Sequence, residues 1–268
     1  MILAELTLDA ALAATATLVA TAFAAAVLER WLVRRRPHEL AWTISLLMFA
    51  AASAALWLAE AGGWSGPTFR AFYLFGAILN VPWLALGTVY LLAGRRLADG
   101  VRWGLVVASG FAAGVMVTAP LHATVPADEL PEGRDLFAPL PRILAAVGSG
   151  VAAVVVIGGA LWSAWRLWRR GARAGSRADV SPSRLALGNV IIAVGTLVLS
   201  ASGTLAGRLG KDTAFALTLV TGVVILFCGF LVATPGRVSR ADVYRTDTAL
   251  PRARSGALGL ARAPARGS

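Results

Sequence analysis

Seven long apolar segments alternate along the chain with short connectors that carry charged, proline or glycine residues. Each segment holds about 20 residues, the length that a helix needs to cross a hydrocarbon core of about 30 Å. The pattern therefore predicts an all-α, polytopic integral membrane protein folded as a seven-transmembrane-helix bundle. The predicted helices span residues 6–28, 40–59, 69–92, 101–119, 140–165, 185–206 and 213–233.

The positively charged residues predict the orientation of this bundle. Most of the 25 lysine and arginine residues lie after helices one, three, five and seven. Connectors rich in arginine stay in the cytoplasm, so the amino terminus is predicted outside and the carboxyl terminus inside the cell membrane. The five exceptions, which fall on the opposite side, are Arg70, Arg134, Arg142, Arg208 and Lys211.

The chain is predicted to contain one membrane domain and one tail. Residues 1–234 hold the seven helices, whereas residues 235–268 are rich in Arg, Ala, Gly, Ser and Pro and cannot bury a core. We expect the tail to be a disordered, basic cytoplasmic segment. The first apolar segment lacks a preceding basic region, so we expect it to be retained as a helix and not cleaved as a leader.

Composition agrees with the membrane class and narrows the partners. Hydrophobic residues make up 57% of the chain, charged residues 15%, and the mean hydropathy is +0.71. The net charge of +11 could suit nucleic acid, but the arginines cluster between apolar segments, where they act as topology signals. The expected partners are therefore the anionic inner leaflet and a membrane protein or second copy of the chain, and not nucleic acid.

Helix three carries the most unusual polar residues at mid-membrane depth. An amide in hydrocarbon is costly, so Asn80 is expected to face protein or a ligand and not lipid. It could line a pocket, or it could hydrogen-bond a neighbouring helix or a carbonyl freed by Pro82, and the second reading is favoured. With the polar side of helix six, the candidate ligand or permeation residues are Tyr73, Asn80, Trp83, Thr196 and Ser200.

Three ionisable residues fall near the outer ends of the helices. Glu60 and Arg70 flank the turn between helices two and three, where an ion pair could join them, and Asp9 lies at the start of helix one. A structural ion pair is favoured over a substrate site. Glycines in helices four and five, among them Gly110 and Gly114 spaced four residues apart, are expected to let helices pack closely.

The sequence lacks the residues that several kinds of cofactor site and catalytic site would need. His38 and His122 are predicted at opposite membrane faces, so they cannot jointly hold a haem or a metal, and no site of either kind is expected. The single cysteine, Cys228, forms no internal disulfide. No helix carries paired central carboxylates or a Ser/His/Asp set, so no catalytic residues are assigned.

The predicted topology resembles that of opsins and G-protein-coupled receptors in helix number and orientation alone. A retinal protein would need a lysine in the middle of its last helix, but Lys211 precedes that helix. A retinal Schiff base is therefore excluded.

Two functional classes are favoured by the sequence. The favoured one is a sensory, scaffold or accessory protein of the cell membrane without catalytic activity. The alternative is a small transporter, channel or facilitator for an uncharged or apolar solute, a lipid or an ion, with its pocket along helix three. A lipid-modifying membrane enzyme is least favoured because catalytic groups are missing.

The topology is testable by cysteine labelling of intact cells. A cysteine placed near Asp128 should react with an impermeant reagent, whereas one placed near Arg173 should react only after lysis. The reverse labelling pattern would overturn the orientation.

Overall fold

The computed structural model describes residues 8–171, 182–205 and 211–233, which form helices joined by short connectors and contain no β-strand. The elements are α1 (Leu8–Arg34), α2 (Pro37–Gly62), α3 (Gly66–Phe72), a π-helical segment (Tyr73–Leu79), α4 (Asn80–Leu92), α5 (Arg95–Thr118), α6 (Gly133–Leu136), α7 (Pro139–Gly171), α8 (Pro182–Leu205) and α9 (Lys211–Ala233).

Six of the described helices are long and apolar enough to cross a membrane. The prediction of a helical, membrane-embedded protein is confirmed to this extent. Within α8, the described apolar stretch Val190–Leu199 is shorter than these six. The seventh span and the orientation therefore stay predictions, and the tail, residues 235–268, lies outside the described residues. The six are Leu8–Arg34, Pro37–Gly62, Gly66–Leu92, Arg95–Thr118, Pro139–Arg166 and Thr213–Val232.

The helices form a closed ring with one helix outside it. Around the ring, α1 packs on α2, α2 on α4, α4 on α7, α7 on α8, α8 on α9, and α9 on α1 again. Helix α5 lies against α4 and α7 from outside, and only 11% of its apolar window is buried. We call the end of the bundle where α1 meets α2 the arginine end, and the end that holds residues 119–138 the loop end.

The third span is one long helix whose register changes at Tyr73–Leu79. Ser65 starts it with a reciprocal capping box to Thr68, which satisfies donors of the first turn. Pro82 has no N–H to donate to the preceding turn, so carbonyls there need other partners. The hydroxyl of Ser149 in α7 donates to the carbonyl of Ala77.

Glycines set the closest helix contacts, and these glycines include one from predicted helix five, as the sequence suggested, but not the two from predicted helix four. A Cβ added at Gly148 would lie 3.2 Å from the Ile78 carbonyl oxygen, so α7 packs tightly on the third span. In α9, a Cβ at Gly222 would lie 2.6 Å from the Leu199 side chain of α8. By contrast, no described atom lies within 4 Å of a Cβ at Gly110 or Gly114. The expectation that these two glycines of α5 join helices is wrong, because α5 turns them away from the ring.

Substituting leucine for Gly222 should separate α8 from α9. Overpacking of this kind costs about 1–3 kcal/mol, so Gly222→Leu should unfold at a lower temperature in detergent micelles, followed by circular dichroism. The matched control is Gly110→Leu, which enters open space and should melt like the wild type. Equal melting of both variants would show that α8 and α9 do not depend on this contact.

A central cavity as the candidate functional site

The helix ring encloses a cavity of about 840 Å³. Small-molecule sites measure roughly 300–1,000 Å³, so this space could hold a ligand of ordinary size. Helices α1, α2, α4, α7, α8 and α9 contribute to its wall, as do the π-helical segment and residues 130–134 of the loop end. Helix α5 contributes no wall residue.

The wall is apolar along most of its length and charged at one end. Aromatic side chains from several helices line it, and the polar atoms at mid-depth are hydroxyls and one carboxamide. Charged wall residues within the described chain come from the loop end and the start of α7, and they are Glu132, Arg134 and Arg142. This distribution is that of a site for a molecule that is mainly apolar.

Asn80 lies in the wall and also joins two helices. The Ser45 hydroxyl of α2 lies 2.7 Å from the Asn80 Oδ1 and 2.9 Å from its carbonyl oxygen. Ser45 is only 1% exposed, so this hydrogen bond lies inside the bundle. The contact matches the packing interpretation of Asn80, while its position in the wall leaves the ligand role as a prediction.

The other candidate ligand residues divide between the cavity and its surroundings. Tyr73 lies in the wall at the loop end, where its ring packs against Gly133. Thr196 also lies in the wall, and its hydroxyl donates to the Ile192 carbonyl at 2.9 Å. Trp83 is not a wall residue. The side chain of Ser200 lies outside the described part of the chain.

Trp83 instead attaches α5 to α4. It is 8% exposed, and its indole N–H donates to the Ser109 hydroxyl at 3.2 Å. Of the two roles that the sequence allowed, packing between helices is the one the structure shows. Trp83 does not line this cavity, so a ligand or permeation role for it stays a prediction.

Arg70 holds the loop end of α5. Its guanidinium donates to the carbonyls of Met116 and Ala119, with the second contact at 2.7 Å, so it satisfies carbonyls at the end of that helix. The ion pair between Arg70 and Glu60 stays a prediction. Asp9 lies in the first turn of α1, where a negative charge is favourable. None of these three residues lines the cavity.

A charged pair at the arginine end was missed in the sequence. The Glu39 side chain is fully buried and lies 3.4 Å from Arg30 Nε, and the Arg30 guanidinium lies 4.8 Å from the centre of the Phe230 ring. The pair thus connects α1, α2 and α9, and Phe230 is a wall residue. Glu39 was assigned to a connector, although a proline two residues earlier is a typical helix start.

The loop end is folded against the bundle, and its residues 130–134 line the cavity. The backbone N–H of Trp64 donates to the Ala127 carbonyl at 3.0 Å, and the backbone N–H of His122 donates to the Leu136 carbonyl at 3.0 Å. The ring of Phe137 stacks on that of Phe69 with 5.2 Å between centres. The leucine and aromatic side chains of this connector, among them Leu130, Leu136 and Phe137, are buried and give it a packed base.

The sequence matches no protein-family model, and no curated protein matches it. The geometry of the cavity therefore carries the functional conclusion.

The contact between Ser45 and Asn80 can be measured with a double-mutant cycle. Asn80→Leu and Ser45→Ala should both insert and fold, and each should be less stable in micelles than the wild type. Because both remove the hydrogen bond between the Ser45 hydroxyl and Asn80 Oδ1, the double variant should lose less than the sum, with a coupling of about 0.6–1.7 kcal/mol. Strictly additive losses would show that the two groups do not interact.

Proposed function

We propose that this chain is a non-catalytic membrane protein that binds an apolar or amphipathic molecule in its central cavity, as a sensory or accessory protein. The observation that carries the proposal is the cavity of about 840 Å³ inside the helix ring. In this proposal the bundle has seven helices in the cell membrane, with its amino terminus outside and its basic tail on the anionic inner leaflet. A membrane-protein partner or second copy would receive the signal.

The size of the cavity supports an occupant. Protein interiors are close-packed, so a space of this size inside a helix bundle is unusual. Its volume of about 840 Å³ falls within the range of roughly 300–1,000 Å³ that small-molecule sites have, which supports an occupant.

The chemistry of the wall favours an apolar occupant over water. A buried water needs two to four polar partners. At mid-depth the hydroxyls of Ser149 and Thr196 already donate to helix carbonyls, and Asn80 is bonded to Ser45. The Ser53 hydroxyl, which also lines the cavity, has no hydrogen-bond partner within the described chain, but the wall between the ends is otherwise mainly apolar and offers few groups that would hold water.

A facilitator for an uncharged or apolar solute is the second candidate. It is favoured by the extent of the wall, which runs from Arg134 and Arg142 at the loop end to Thr88 and Phe230 towards the arginine end. The two candidates differ in whether the bound molecule leaves at the far end. In liposomes, a facilitator would carry its solute across, whereas a binding protein would only retain it.

Blocking the cavity tests the binding proposal. A Cβ added at Gly150, a wall residue of α7, meets no described atom within 4 Å, so Gly150→Trp can fold with its indole in the cavity. We expect mass spectrometry of the purified variant to show about tenfold less co-purifying apolar molecule, since a loss of about 1.4 kcal/mol is already tenfold in affinity.

The matched control is Gly158→Trp on the same helix. Gly158 is equally open, exposed and outside the cavity wall, so its tryptophan should face lipid and leave the bound molecule in place. Equal amounts of bound molecule in both variants and in the wild type would disprove the binding proposal. Flux through liposomes that Gly150→Trp stops and Gly158→Trp leaves intact would select the facilitator.

A further inference from the structure

The loop end of the cavity holds a cation that no described carboxylate pairs with. Arg134 Nε lies 2.6 Å from Glu132 Oε2 and 3.6 Å from Asp135 Oδ1, so two carboxylates balance its charge. Arg142 has no such partner among the described residues, although it also lines the cavity. An anionic group that enters the loop end would therefore meet the guanidinium of Arg142.

The surroundings of Arg142 suit the headgroup of a bound molecule. Arg142 lies in the first turn of α7, at the positive end of the helix dipole. Tyr73, whose side chain carries a phenol, is another wall residue at this end. A guanidinium matches the two oxygens of a carboxylate or phosphate, and a phenol can add a third hydrogen bond.

From Arg142 towards the arginine end, one face of α7 lines the cavity with small side chains. The wall residues of this helix recur at helical spacing and most of them are small: Ala145, Ala146, Ser149, Gly150, Ala153 and Val156. From Arg142 to Val156 the helix rises about 21 Å. One leaflet of hydrocarbon is about 15 Å thick, so this face is long enough for a whole acyl chain.

We propose that the cavity binds a single-chain amphiphile with an anionic headgroup, a carboxylate or a phosphate. The headgroup pairs with Arg142 and Tyr73 at the loop end, and the chain lies along the small-residue face of α7. This inference rests on the proposed binding function and specifies the class of ligand.

Three probes with the same twelve-carbon alkyl chain separate the contribution of the headgroup to binding from that of the alkyl tail. Radiolabelled dodecanoate, dodecyl phosphate and dodecanol are titrated onto the full chain in phosphatidylcholine nanodiscs. We expect both anions to bind about tenfold more tightly than the alcohol, the effect of one charge-assisted contact. In Arg142→Gln this preference should vanish while the alcohol binds as before, and Arg142→Lys should keep part of it.

The control cation is Arg166, which lies on the same helix, is exposed and is not a wall residue. Arg166→Gln should bind all three probes as the wild type does. The inference is overturned if Arg142→Gln keeps the preference for anions, if Arg166→Gln loses it equally, or if wild type binds alcohol and anions equally. In each of these cases the cavity still binds a chain, so the proposed function survives.

Two further outcomes separate the tail from a free anion. Acetate and inorganic phosphate should compete poorly, because they lack the chain. If they displace the amphiphiles as well as dodecanoate itself does, or if Gly150→Trp leaves dodecanoate binding unchanged, the placement of the chain is wrong. If none of the three probes binds to the wild type, the proposed function fails together with the inference.

Discussion

In hydrocarbon a backbone carbonyl has no water to accept from, and that requirement shapes the centre of this bundle. Pro82 leaves the preceding turn without a donor, and the repair comes from another helix. Ser149 donates to Ala77, and the absence of a side chain at Gly148 lets the two backbones approach. The contact fixes α7 against the third span, so it closes the ring that surrounds the cavity.

The cavity inherits different chemistry at each end. At the loop end, charged side chains line it and a packed connector contributes to its wall. At the arginine end, Glu39 lies 3.4 Å from Arg30 beside Phe230, so the buried carboxylate has an opposite charge next to it. The cavity is thus charged at the loop end, apolar along its middle and next to an ion pair with no net charge at the arginine end. This arrangement matches a molecule with one polar end.

The helices could be read from the sequence because hydrophobic length is a local property. The polar face of the third span was also found locally, and Tyr73 and Asn80 do lie in the cavity wall. The sequence could not show that Trp83 contacts Ser109. Ser109 lies on α5, and no local pattern reveals that α5 stands outside the ring. The sequence could not single out Arg142 for a similar reason. Arg142 is a candidate for binding an anion because the nearby carboxylates of Glu132 and Asp135 pair with Arg134, and this pairing is visible only in the fold.

Helix α5 lies outside the ring and does not contact the cavity directly. Any movement of α5 that depends on the cavity must therefore pass through another helix. Helix α5 shares no wall residue with the site and is tied to the third span by Trp83 and by Arg70. Both tethers start on the span that also supplies Tyr73 and Asn80. A tilt of that span would therefore carry α5 with it, so the outer helix and the cavity wall are mechanically connected.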